Sequence, residues 1–323
     1  MTNRRAPASR RVALGGALVV LALGMGACGR SQTGNGVVML ATHSSPGGGS
    51  DVFLREMTPY LSRLMGSTFV VENYQGGSGA KAMAIIGSAK PDGNLFYATT
   101  PTFIYTSLLS QPEIGYRDLE PLVNLFFDPE VLYTAADSRF ATLQDVLDHA
   151  RKSRGKWGAG NPASLERQTL EQLKQKAGVK AAVVTFEGGG DMLVNVLNHT
   201  LDMGIGELQE IRAQLDAGTV RLLAVAGDHR LSLFPDLRTI KEHGIDLSVR
   251  KFRGLAGPKG TSPQVIAAWE AAIPKLLEDP DYRRLYVANS LEPGFIPHKE
   301  YVAFMSQFGA ETERFLRDAG AIN

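Results

Sequence analysis

From Val37 onward the chain repeats one order of apolar and polar positions: a short apolar run, a glycine-rich turn, then an amphipathic stretch. The run VVMLA predicts a strand and SSPGGGS a turn. Phe53, Met57, Leu61 and Leu64 then recur at helical spacing, which predicts a helix from about Asp51 to Met65, with Gly66 as its stop. TFVVEN, YQGGSG and AKAMAIIGSAK repeat the order, and PDG turns the chain into a third strand, NLFYATT. A second set starts near residue 131 with the strand EVLYTA. Thr142 and Asp145 form a capping-box pattern ahead of the helix QDVLDHARKS. Strand KWGAG, turn NPAS and helix LERQTLEQLKQKAG follow, then strand AAVVTF, turn EGGG and helix DMLVNVLNHT. LDMGIG and RLLAVAG complete the set. The chain returns near VRKFRGLAGPKG, and 263–278 and 298–318 read as helices, the first opened by TSPQ with Pro263 in its first turn.

This alternation predicts an α/β protein with parallel strands and helices on both faces. The expected organisation is two β/α domains joined by a two-crossing hinge, 37–132 with 251–323 against 133–250. That is a clamp of the periplasmic solute-binding kind, type II-like, which closes on its ligand.

Composition changes the picture at the N-terminus. Of 34 Lys and Arg, four (Arg4, Arg5, Arg10 and Arg11) lie before residue 28 with no acid among them, leaving 30 basic against 33 acidic side chains, about −3. A mildly acidic body argues against a nucleic-acid binder, which needs a basic surface. The arginines precede VALGGALVVLALGMGAC, too short for a membrane span and laid out as a secretory signal peptide over residues 1–27. The single cysteine, Cys28, closes the small-residue stretch MGAC, so a lipidated cysteine at the head of the mature chain is expected, with residues 28–36 as a tether. An ordinary signal peptide is the alternative. One cysteine allows no internal disulfide.

The glycine turns carry the candidate chemistry. A helix N-terminus presents unpaired N–H groups and partial positive charge, and glycine lets an anion approach them closely. Three turns share this design: Gly47, Gly48 and Gly49 with Ser50 and Asp51; the turn of Gly79; and Gly188, Gly189 and Gly190. GNPAS, with Asn161 and Ser164, is similar in kind. All follow strands, the end of an open α/β sheet where ligands bind. Such a turn also has a purely backbone reading, but glycine triplets in both halves are harder to explain that way. Asp51 and Asp191 offset the helix dipole, and Asp51 is a candidate to fix its turn. Ser44, Ser45, Thr100, Thr102, Asn161 and Ser164 are the side-chain candidates for reading the rest of a ligand.

Other chemistries fit poorly. GSGAKA is a partial dinucleotide fingerprint with no acid ending a strand about 20 residues on. No glycine loop ends in the phosphate-binding G-K-[ST], and GGSGA lacks the last glycine of a nucleophile elbow. The six histidines lack metal spacing, His229 and His243 being nearest, and read as surface or capping residues. Trp157 and Trp269 read as core or interface aromatics. Neither catalysis nor a cofactor or metal is expected.

The order of motifs resembles the extracytoplasmic solute receptors of tripartite tricarboxylate transporters, the Bug receptors. SSPGGGSD is similar to the family's first ligand loop, VVENYQGGSGAKAM to its next segment, and KPDGNLFYATT to the strand after it. DLEPLVNL, ADSRFATLQDVL, FEGGGDMLVNVLNHTLDMGIG, AGTVRLLAVAGDHRLSLFPDLRTIKEHGIDL and KFRGLAGPKGTS resemble the later blocks, so the likeness runs through nearly all of 37–323. Ser50 stands where one branch has tryptophan, and KFRG replaces its N-W-R-G. The resemblance implies backbone amides of two facing loops gripping one ligand carboxylate, often with ordered water. It also implies a small di- or tricarboxylate or related organic acid as ligand, a membrane permease as partner and a periplasmic, lipid-anchored monomer. A ligand-presenting sensor for a signalling partner is the alternative.

Overall fold

The computed structural model describes residues 36–186 and 188–323. The expected signal peptide, Cys28 and the expected tether up to residue 35 lie outside the described residues. None of the described helices is long and apolar enough to cross a membrane.

In chain order the elements are β1 (Val37–Thr42), α1 (Gly49–Met65), β2 (Thr68–Asn73), α2 (Ala80–Gly87), β3 (Leu95–Thr99), α3 (Pro101–Ser110) and β4 (Leu119–Asp128). Then come β5 (Glu130–Ala135), α4 (Leu143–Lys152), β6 (Gly155–Ala159), α5 (Leu165–Ala177), β7 (Ala181–Thr185), α6 (Gly189–Leu197), β8 (Met203–Glu207), α7 (Leu208–Asp216) and β9 (Val220–Val225). The chain ends with β10 (Lys251–Pro258), α8 (Pro263–Glu278), α9 (Pro280–Ala288), β11 (Glu292–Ile296) and α10 (His298–Asp318).

The strands form two sheets, ordered β11-β4-β10-β3-β1-β2 and β7-β6-β8-β5-β9. Each half is a sheet flanked by helices, an α/β two-domain fold. The sheets are mixed, which corrects the expectation of parallel strands. β1 runs parallel to β2 and β3, and β6 to β7 and β8. β10 runs antiparallel to β3 and β4, and β5 antiparallel to β8 and β9. The reason is topological. β5 and β10 are the strands that enter each sheet from the other half, so they start where the parallel strands end.

Alternation along the strands fills both faces of the first sheet. Leu40, Phe96 and Leu255 face the core under α1, α8 and α9, where Trp269 meets Phe69 and Phe96 edge-on. Ala41, Tyr97 and Phe252 face the opposite core under α2, α3 and α10. Trp157 lies in a core of the second half with Leu147, Leu170 and Ile205. In α1, Phe53, Leu54, Met57 and Leu61 are buried whereas Leu64, in the last turn, is exposed, so the apolar stripe stops short of its expected end. The Thr142–Asp145 capping box is formed, the Thr142 hydroxyl accepting from Asp145 N and the Asp145 carboxylate from Thr142 N.

Candidate functional site

Strand register sets the site. Lys251 at the start of β10 lies opposite Asp128 at the end of β4, and Glu130 at the start of β5 lies opposite Glu207 at the end of β8. Both crossings therefore place ionisable side chains where the halves meet. Lys251 and Arg253, two apart on β10, share one face, while Phe252 points into the core. All these side chains are buried.

The first glycine turn is held from within. Gly47 has a φ of +81°, which favours glycine, and its N–H donates to Asp51 Oδ2 at 2.9 Å. Asn73 Nδ2 donates to Ser44 O and Asp51 Oδ1, both at 2.9 Å, and Arg55 Nε to Asp51 Oδ1. These bonds engage the Asp51 carboxylate in fixing the turn. The third glycine exists for packing. A side chain at Gly49 would strike Arg253 Nη2 and come within 2.9 Å of the Glu207 carboxyl carbon.

The turns of the two halves meet. A side chain at Gly188 would strike Ser45 Oγ, and one at Gly189 the Glu210 carboxyl. Gly49 N donates to Glu210 Oε1 at 2.9 Å, joining α1 of one half to α7 of the other. Gln209 Nε2 adds bonds to Gly49 O and Asp128 Oδ2, both 3.2 Å. The cavity left between the halves is small, about 30 Å³.

Of the expected ligand residues, Ser44, Ser45, Gly48, Gly49, Ser50, Thr100, Thr102, Asn161, Gly188 and Gly189 line this cavity. Gly47, Asp51, Gly79, Ser164 and Gly190 are not among its lining residues. Ser164 caps α5, its hydroxyl accepting from Arg167 N and donating to Asn161 O. Gly79 packs against Tyr97 and His43. His43, expected to be a surface or capping residue, is buried instead, with Nδ1 2.7 Å from the Tyr97 hydroxyl. Burial first, then the Lys251 charge, pushes it down to about 4 and keeps it neutral.

The acids were missed. Glu166, Glu207 and Glu210 line the cavity beside Lys251, and Glu130 and Asp128 lie behind them. Lys251 Nζ donates to Glu130 at 3.2 Å and to Glu166 and Glu207 at closer range. Oxygens of Glu130, Glu166 and Glu207 lie within 4.8 Å of one another, a donor set suited to a cation, and the Lys251 ammonium bonds all three. Arg253 Nε donates to Asp128 Oδ2 at 2.5 Å, Nη1 to Ser50 Oγ at 2.7 Å and Nη2 to Glu207 Oε1 at 2.8 Å.

Burial would raise Glu207, but Lys251 and Arg253 outweigh it and hold its carboxyl well below the usual range. Burial and the Glu207 charge push its neighbour Glu210 well up, which favours its protonated form beside Glu207. Glu130 is likewise raised by burial and by Glu166, whose own carboxyl Lys251 holds down against burial. Asp128 is raised by burial to about 6 despite Arg253. The sequence signal was present but scattered: KFR puts two cations on one face of a buried strand, and GELQE puts Glu207 and Glu210 at helical spacing just where a strand ends.

Two α/β halves that meet through strand-end turns around a polar cavity define a solute-binding receptor. Residues 53–320 match the family described as tripartite tricarboxylate transporter family receptor, and the chain belongs to that family. The UPF0065 protein in the gbd 5'region of Cupriavidus necator is 28% identical over 280 residues, 85% of this chain and 84% of its own. Among solved structures, the periplasmic binding protein BugD superposes with a TM-score of 0.83 at 20% identity, over 89% of this chain and 98% of its own. An R. palustris protein solved with adipate gives 0.83 at 23% (88% and 97%), and MatC of Rhodopseudomonas palustris with bound malate 0.75 at 21% (86% and 97%). At these identities the superpositions show the shared fold. The family and these neighbours are solute-binding receptors, not enzymes.

Proposed function

We propose that the protein is a periplasmic, lipid-anchored receptor that captures a small organic acid between its halves and delivers it to the permease of a tripartite transporter. One observation carries the reading. A carboxyl group already occupies the point between the two glycine turns: that of Glu210, bonded to Gly49 N and packed against Gly189. A ligand carboxyl fits the same chemistry, and two relatives of like fold were solved with the dicarboxylates adipate and malate. A cavity of about 30 Å³ has room for about two waters. A larger solute enters by parting the bodies 37–132 with 251–323 and 133–250 about β5 and β10. Mass spectrometry of solute released from the purified, denatured protein tests the proposal, with uptake measured in a deletion strain. Release of a small organic acid and loss of its uptake are expected. A bound solute without a carboxyl group, or unimpaired uptake, would count against it.

A further inference from the structure

A second cavity lies behind the crossings, and strand order separates it from the first. The turns that line the first cavity follow β1 and β3, on one side of β10 and β4, and β6, β7 and β8, on one side of β5. The second, about 360 Å³, is bounded by residues 127–129, 227–229 and 249–251 and by Glu292. Residues 227–229 follow β9, on the other side of β5, and Glu292 opens β11, on the other side of β4. Both crossings thus form its walls, and Lys251 lines both cavities.

Three carboxyl groups line this rear cavity, those of Asp128, Asp228 and Glu292. Lys241 answers Asp228 at 3.1 Å, and Arg253 and Gln209 both bond Oδ2 of Asp128. An observation of another kind points to a ligand. Asp128 is 2% exposed, and its Oδ1 has no hydrogen-bond partner among the described residues. An ionised carboxylate oxygen can only accept, so what it lacks is a donor. The N–H groups of Lys251 are taken by Glu130, Glu166 and Glu207. The exposed Arg250 lies instead on an aromatic face, with Cζ 3.5 Å from the centroid of the Phe127 ring. An anion entering here would meet three carboxyl groups, whereas a cation finds both an open acceptor and a ring that already seats one.

We propose that the rear cavity is a second binding site, for a small organic cation with N–H donors, and that its occupation holds the clamp shut. The cation donates to Asp128 Oδ1 and lies on the Phe127 ring in place of Arg250. The coupling follows from position. Halves that part on one side of two crossings approach each other on the far side, so a body lodged behind β5 and β10 resists opening of the cleft. The site is independent of which solute the cleft takes; the coupling rests on the hinge in the reading above.

Calorimetry on the full-length protein with methylguanidinium and tetramethylammonium, a cation without N–H groups, tests the site. Methylguanidinium should bind in the millimolar range and roughly ten- to a hundredfold more tightly than tetramethylammonium, the factor for one hydrogen bond to a charged group. Arg250→Ala, at an exposed position, vacates the ring and should tighten methylguanidinium binding about 2- to 30-fold. Phe127→Leu, checked for folding by circular dichroism, should weaken it by a similar factor. Weaker binding by Arg250→Ala, equal binding of the two cations, or unchanged affinity in both variants would each overturn the site, as would no binding of methylguanidinium at millimolar concentration. Small-angle scattering of protein stripped of solute by unfolding and refolding tests the coupling. The radius of gyration should fall on saturation with methylguanidinium, and an unchanged radius would overturn the coupling.

Discussion

Glu210 offers the sharpest test of how the cleft works. Its carboxyl, which burial and the Glu207 charge push well above the ordinary range and so towards the protonated form, accepts from Gly49 N at 2.9 Å. A ligand that uses the Gly49 amide must first break the Gly49 bond, which as a neutral hydrogen bond contributes about 0.5–1.5 kcal/mol net. Glu210→Ala removes this competitor and leaves a polar space that water fills. Affinity for the organic acid should then rise about 2- to 13-fold, since about 1.4 kcal/mol is tenfold. Glu210→Gln is the control. Its side-chain oxygen still accepts from Gly49 N and its amide N–H still donates to Glu207, as the protonated acid does, so affinity should stay within about twofold at pH 7. Titration calorimetry of both variants with the solute recovered from the wild type reads the difference directly. Weaker binding by Glu210→Ala would mean that Glu210 holds the ligand rather than its place, and a Gln variant behaving like Ala would refute the protonated form.

Four further outcomes are expected. Glu130 is raised above its ordinary value of 4.5, so the folded state binds the proton more tightly and stability falls as pH rises from about 4.5 upward; between pH 5 and 8, Glu130→Gln should lose less Tm than the wild type, and parallel losses would deny the raised acid. Arg253→Met leaves Asp128 and Glu207 buried without their guanidinium and should cost about 3–5 kcal/mol in urea unfolding; a cost below about 1 kcal/mol would show the pair to be hydrated. Gly189→Val drives a side chain into the Glu210 carboxyl and should weaken solute binding at least about tenfold with the circular dichroism spectrum intact; normal binding would take that turn out of the site. Cys28→Ser should give a soluble protein or an unprocessed precursor, and a mature, membrane-bound variant would exclude lipidation.

Where the structure agrees with the sequence, local chemistry suffices. α8 begins at Pro263 because Ser262 caps it and proline tolerates the first turn, and α5 ends where Gly178 takes a left-handed φ of 63°. Three helices, α3, α7 and α9, are not legible in the sequence, and for two of them the reasons are local. α3, PTFIYTSLLS, is apolar on most sides and rich in β-branched and aromatic residues, so its periodicity is blurred; both its flanks are buried. α7 starts on the residue after β8, with no turn to mark the change. The antiparallel crossings and the acid cluster are a different matter. Asp128, Glu130, Glu207 and Lys251 come from four strands and Glu166 from a helix, and only the tertiary fold brings them together. Along the chain each reads as an ordinary charge near the end of an element, and no window of a dozen residues contains the network.

The distribution of these charges bears on recombination among relatives. Residues 130–225 supply Glu130, Glu166, Glu207 and Glu210, whereas both cations, Lys251 and Arg253, sit on β10, which belongs to the other sheet. The halves are therefore matched as two subunits of a complex are matched, by complementary charge across their contact. A chimera that joins this acidic half to a relative's first half without an equivalent of Lys251 and Arg253 would close four carboxyl groups against one another. Crossover points that keep β10 with residues 130–225 preserve the match, although the sheets alone would suggest cutting between them.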